Sequence, residues 1–199
     1  MSQGRDERIN LVHKELDEVA LRLVSPTCNV ASIVDVSNNN LIDVSFLQYF
    51  RVVRSVILDH NNLTENIEFP HMPNVNLLWL NYNRINHLFP FILKLKRSMP
   101  NLKHLSMMGN PIVPSCCEDT YYEYVQYRLY VLSWLDKLEY LDDSRVTKYE
   151  REEAKRFFKQ KHRSRHSIIS SVLQNAYGRV RNILTPPHVQ GERVSSDIV

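Results

Sequence analysis

The sequence predicts an α/β solenoid, with one short strand per coil, the strands stacked into a curved parallel sheet, and helices closing the C-terminal end. Three observations carry this expectation. Asn39, Asn61, Asn83 and Asn110 recur at spacings of 22, 22 and 27 residues. Each sits in the same frame: an apolar residue, two free positions, apolar, one free, apolar, two free, Asn, one free, apolar. After the fourth copy the apolar spacing changes to three and four, which marks an end structure rather than another coil.

The first copy reads Ala31, Val34, Val36, Asn39, Leu41, and the second Val53, Val56, Leu58, Asn61, Leu63. The third is Val75, Leu78, Leu80, Asn83, Ile85, and the fourth Leu102, Leu105, Met107, Asn110, Ile112. Apolar residues two apart on a strand share one face, so each copy turns two of them into the coil's interior. An amide side chain both donates and accepts, and inside a turn it can bond backbone groups that would otherwise be buried unpaired. This is the leucine-rich repeat signature, whose units must stack because none can bury its apolar side alone.

Residues 1–29 hold Ile9, Leu11, Val12, Leu16, Val19 and Leu21. They read as an amphipathic helix or a degenerate first repeat, with an N-terminal cap favoured. Residues 30–113 are the four repeats. The longer fourth unit carries Phe91, Ile92 and Leu95 at helical spacing, for a return segment on the convex side, stopped by Pro100. Residues 114–162 form a C-terminal cap. Tyr121, Tyr124, Val125, Arg128, Leu129 and Leu132 recur helically. Leu138 and Leu141 begin a truncated fifth strand that ends in Asp142 and Asp143. Thr147 with Glu150 three residues on is a capping box, so a helix begins at Lys148. Residues 163–185 carry a basic and amphipathic helix, and 186–199 read as a disordered tail.

At 43% hydrophobic and 24% charged the composition is that of an ordinary globular chain. Neither a signal peptide nor an apolar run long enough to span a bilayer is expected. Cys28, Cys116 and Cys117 form no disulfide framework, and the eight histidines have no metal-ligand spacing. Reduced thiols and an intracellular setting follow. With four glycines there is no phosphate-cradling loop, and no catalytic triad signature appears. The chain is therefore expected to be neither enzyme nor cofactor carrier. Residues 1–150 hold 15 basic and 18 acidic side chains, and residues 151–199 hold 10 and 4. A mildly acidic solenoid thus precedes a basic tail.

Function is expected on the concave face. The third, fifth and seventh frame positions point away from the interior. They give rows of Ile33, Ser55, Leu77, His104; Asp35, Ile57, Trp79, Ser106; and Ser37, Asp59, Asn81, Met108, flanked by His60 and Tyr82. Ile33, Ile57, Leu77, Trp79 and Met108 are expected to face solvent. With Asp35, Asp59, Asn81 and Tyr82 they form the candidate protein-binding surface, with Trp79 as anchor. The rival is self-coverage, for example by the C-terminal helix. That helix either packs back on the solenoid, enters a partner's groove, or lies with its basic run on an anionic membrane. Direct nucleic-acid binding is not expected, because aromatics are not interleaved with the basic run.

Tyr127 to Leu132, then Leu138-Glu139-Tyr140-Leu141-Asp142, then Val146, Glu150, Arg151 and Ala154, resemble the cap of the repeat branch that includes the U2 spliceosomal A-prime protein. In this cap Arg128 is expected to pair with Asp142 or Asp143. The stretch 99–158, with Leu105-Ser106-Met107-Met108-Gly109-Asn110-Pro111, more closely resembles the leucine-rich melanocyte differentiation-associated family. The chain is expected to be a monomeric adaptor, and that resemblance implies cytoplasmic work in vesicle or lysosome-related organelle trafficking, with a Rab-type small GTPase as partner. Peripheral membrane contact would run through residues 155–184. The alternative is a nuclear, spliceosomal protein that grips an RNA-binding protein.

Overall fold

A computed structural model describes residues 7–13, 30–115 and 117–158. Seven strands form one sheet in sequence order. They are β1 (Arg8–Asn10), β2 (Ile33–Asp35), β3 (Ser55–Ile57), β4 (Leu77–Trp79), β5 (His104–Ser106), β6 (Tyr140–Leu141) and β7 (Ser144–Arg145). Pairing is parallel from β1 to β6, and β7 folds back antiparallel on β6.

The frame sets the register. Val34, Val56, Leu78, Leu105 and Leu141 lie side by side across β2 to β6 and are at most 1% exposed. Val36, Leu58, Leu80 and Met107 form a second buried row, and Leu41, Leu63 and Ile85 a third. Full burial of such side chains contributes about 1.5–3 kcal/mol each, and only stacking achieves it.

The residue before each frame asparagine is left-handed. Asn38, His60, Tyr82 and Gly109 have φ of 55°, 52°, 53° and 71°. This turn swings the chain off the sheet, and the next residue's amide locks it. Asn83 donates through Nδ2 to the carbonyls of Leu80 at 3.0 Å and of Leu58, one coil back, at 3.0 Å. Its Oδ1 accepts from the Leu63 amide at 3.1 Å. Asn61 and Asn110 repeat the pattern, accepting from Leu41 and Ile85 at 3.0 Å each. Each side chain thus closes its own turn and staples it to the preceding coil.

At the N-terminal end the described residues take the form of a degenerate repeat rather than an amphipathic helix. Arg8, Ile9 and Asn10 pair with Ile33, Val34 and Asp35, and Asn39 Nδ2 reaches the Leu11 carbonyl at 2.9 Å. His13 is left-handed like its counterparts, with φ 54°. Residues 7–13 are therefore the strand and turn of a degenerate coil, whose frame has Lys14 where the others have Asn.

Helix α1 (Phe91–Ser98) lies on the outer side of the fourth unit and buries Phe91, Ile92 and Leu95. Helix α2 (Tyr121–Trp134) buries Tyr127, Arg128, Val131 and Leu132 and packs against α3 (Lys148–Phe158). The capping box forms: the Glu150 amide donates to Thr147 Oγ1 at 3.1 Å, and the Thr147 amide donates to Glu150 Oε2 at 2.8 Å.

Arg128 does not pair with Asp142 or Asp143. Its Nε donates to Glu150 Oε1 at 2.6 Å and its Nη1 to the Leu141 carbonyl at 2.9 Å. The reason is helix placement. α3 packs on α2 and brings its first turn over Arg128, while Asp142 turns inward to accept the Met107 amide at 2.9 Å. Burial alone would raise the Glu150 carboxyl, but bonds from Arg128 and Thr147 outweigh it and hold it below the ordinary value. Burial raises Asp142 against its bond from Met107. No helix among the described residues is long and apolar enough to cross a membrane. The expected basic and amphipathic helix at 163–185, the tail at 186–199, Cys28 and Cys116 lie outside the described residues.

Candidate functional site

The strand register assembles the concave rows as the frame predicts. Ile33, Ser55, Leu77, His104 and Tyr140 lie in one line, and Asn10, Asp35, Ile57, Trp79 and Ser106 in the next. Exposure is uneven along them. Trp79 is 40% exposed, Tyr82 57% and Met108 38%, whereas Ile33, Ile57 and Leu77 are half-buried. Trp79 and Tyr82 stand on the third coil and Met108 on the fourth, where its carbonyl accepts the Tyr82 amide at 2.8 Å.

Two of the polar candidates are taken up inside the molecule. Asp35 is buried, ion-paired to Arg8, and accepts from the Ser37 amide at 3.1 Å and hydroxyl at 2.6 Å. Asn81 is buried too, with its Oδ1 accepting from Ser106 Oγ at 2.6 Å. Strand alternation fixes which face a residue takes but not its depth. Here Arg8 and Ser106, from adjacent coils, cover the two side chains.

Asp59 is different. It is half-buried, and its Oδ1 accepts the Asn81 amide at 2.8 Å. Burial raises its carboxyl above the ordinary value, against the Asn81 bonds and the neighbouring His60. It stands across from Asn81 in the row next to that of Ile57 and Trp79.

Aromatic side chains continue across the coils. The His60 and Tyr82 rings stack with centroids 4.4 Å apart and planes 11° apart. On its other side Tyr82 covers Gly109, where a Cβ would stand 2.4 Å from the Tyr82 ring. Gly109 thus serves both the left-handed turn and the seat of that ring. His104 and Tyr140 stack at 4.9 Å. The sequence missed Tyr140 as a concave residue and Arg8 as a partner of Asp35. The spacing from Leu138 to Leu141 placed Tyr140 at the third frame position, and that signal was there to read.

Among the described residues no group of three His, Cys, Asp or Glu side chains is placed to hold a metal ion. The exposed Cys117 thiol is lowered by hydrogen bonds with Ser115 and Thr120. The site is a rigid surface of aromatic, aliphatic and polar groups.

A leucine-rich repeat family model matches residues 23–168, and the chain belongs to that family. Its relatives divide between two kinds of protein. The human leucine-rich melanocyte differentiation-associated protein is 38% identical over 111 residues, 54% of this chain and 56% of the human one. U2 small nuclear ribonucleoprotein A′ of Saccharomyces cerevisiae is 29% identical over 157 residues, 78% of this chain and 60% of its own length. The protein of that name in Candida albicans is 24% identical over 171 residues, covering 84% and 68%. This chain thus spans little more than half of the human relative. The crystal structure of the Drosophila melanogaster SNF/U2A′ complex shares the fold, with a TM-score of 0.62 and 19% identity over 87% of this chain and 90% of that one.

Proposed function

We propose that this chain is a non-enzymatic leucine-rich repeat adaptor, a monomer that grips a protein partner in its concave hollow. One observation carries the reading: Trp79, Tyr82 and Met108 stay open in the concave rows, while their neighbours Asp35, Asn81 and Ser106 are buried. A large aromatic held open on a rigid surface is the usual anchor of a protein contact. The melanocyte-type resemblance supports cytoplasmic work in vesicle or lysosome-related organelle trafficking, with a Rab-type small GTPase as partner. Residues 155–184 would add peripheral membrane contact.

A second reading is favoured by coverage. The U2 A′ relatives align over 78% and 84% of the chain, against 54% for the human melanocyte-type protein. It makes the chain a nuclear protein whose hollow holds an RNA-binding protein. Proximity labelling in cells separates the two. Labelling of vesicle proteins supports the first reading, and labelling of a small nuclear particle supports the second. Trp79→Ala should lower partner recovery with little change in melting temperature. Undiminished recovery by that variant would remove the concave hollow from both.

A further inference from the structure

Among the described residues Asp35 and Asp59 stand in the concave rows of the repeats, and the chain neutralises Asp35. Asp35 receives the Arg8 guanidinium from the adjoining strand. Asp59, two coils from Arg8, has no ion pair among the described residues; the neighbouring His60 favours its ionisation and Asp35 opposes it. Yet Asp59 is half-buried, and it shares the concave rows with the exposed Trp79 and Met108. Its strand neighbour Ile57 pairs with Trp79, and its own Oδ1 is held by the Asn81 amide at 2.8 Å. The His60–Tyr82 stack borders it on the far side. A half-buried carboxylate with aromatic side chains on the same face suits a guanidinium, which can hydrogen-bond a carboxylate and stack on a ring.

We infer that the concave hollow takes an arginine of the partner protein, seated on Asp59 and flanked by Trp79 and Tyr82. The inference rests on the concave-binding reading and names the chemistry that reading requires of the partner. Arg8 on Asp35 is the intramolecular precedent for the same pairing on the same face. Burial makes the charged Asp59 costly when the hollow is empty, and an incoming cation removes that cost.

The test selects a random linear peptide library on phage against the full-length chain. Selected peptides are resynthesised with each arginine replaced by citrulline, which keeps the shape and loses the charge. On the wild-type chain this replacement should weaken binding by about tenfold or more at one arginine. On Asp59→Asn, which keeps an acceptor for the Asn81 amide, the same replacement should change binding by less than about twofold. An equal loss on both chains overturns the inference, as does a selected set without basic residues. If Trp79→Ala abolishes binding while Asp59→Asn leaves the citrulline effect intact, the hollow is a binding site without this arginine seat. If Trp79→Ala has no effect, the concave reading falls as well. A full-length chain with Lys159, Lys161, Arg163 and Arg165 changed to Gln checks the chain's own basic stretch. Tighter peptide binding by that variant would assign the seat to the tail and overturn the partner's claim to it. Melting temperatures confirm that each variant is folded.

Discussion

The repeats and the C-terminal cap face the same difficulty, backbone groups left without partners at a buried turn, and resolve it differently. In the repeats a local device recurs. One asparagine per coil bonds its own turn and the coil before it, and each copy depends only on its neighbours. In the cap the same task falls on single long side chains. Arg128 reaches the Leu141 carbonyl and Glu150, and Arg151 donates to the Leu135 and Leu138 carbonyls. The repeated device spreads the cost of any one loss, whereas the cap concentrates it.

The comparison breaks most sharply at Arg128. Its side chain is 6% exposed, so Arg128→Met leaves Glu150 without its cation and Leu141 without a donor. A loss of about 3–5 kcal/mol is expected from denaturant unfolding. A loss below about 1 kcal/mol would make the pair an ordinary surface contact. Acid should weaken the same pair. The Glu150 carboxyl is lowered in the folded chain. Its contribution is complete above the unfolded carboxyl's value and is lost as pH falls through the lower folded one. Glu150→Gln should flatten that part of the stability curve.

Asn83→Ala comes next, at about 2–3 kcal/mol, because the amide's partners at Leu58, Leu80 and Leu63 stay buried. An unchanged melting temperature would deny the ladder its role. Thr147→Ala tests the cap at an exposed point and should cost about 1 kcal/mol, with the Glu150 amide losing its acceptor. The smallest effect has the opposite sign. Burial raises the folded Asp59 carboxyl, so stability falls as pH rises through that value. Asp59→Asn escapes the fall. It should melt at or slightly above the wild-type temperature at neutral pH, by less than about 1 kcal/mol after solvent screening. The difference should vanish in acid, and a clear destabilisation would make Asp59 a structural residue.

Much of this architecture was legible because a repeat writes its register into its own spacing. Val34, Val56, Leu78 and Leu105 align in space because each stands five residues before its asparagine. The first coil was harder to read, since Lys14 stands where the frame wants Asn and Asp6 where it wants an apolar residue. The burial of Asp35 and Asn81 was not legible, because alternation gives direction while depth depends on Arg8 and Ser106 in other coils. Nor was the true partner of Arg128. Glu150 was read as half of a capping box, and it also meets Arg128, which needs the docking of two helices 22 residues apart in their contact points.

The fourth unit carries five residues more than its neighbours, yet Leu78 still meets Leu105. The surplus is spent in α1 on the outer arc, and the hollow is untouched. A segment grafted into that arc would lengthen the coil outward. A reporter sequence inserted there would leave the inner surface as it stands, which gives a practical handle for following the protein while its hollow is occupied.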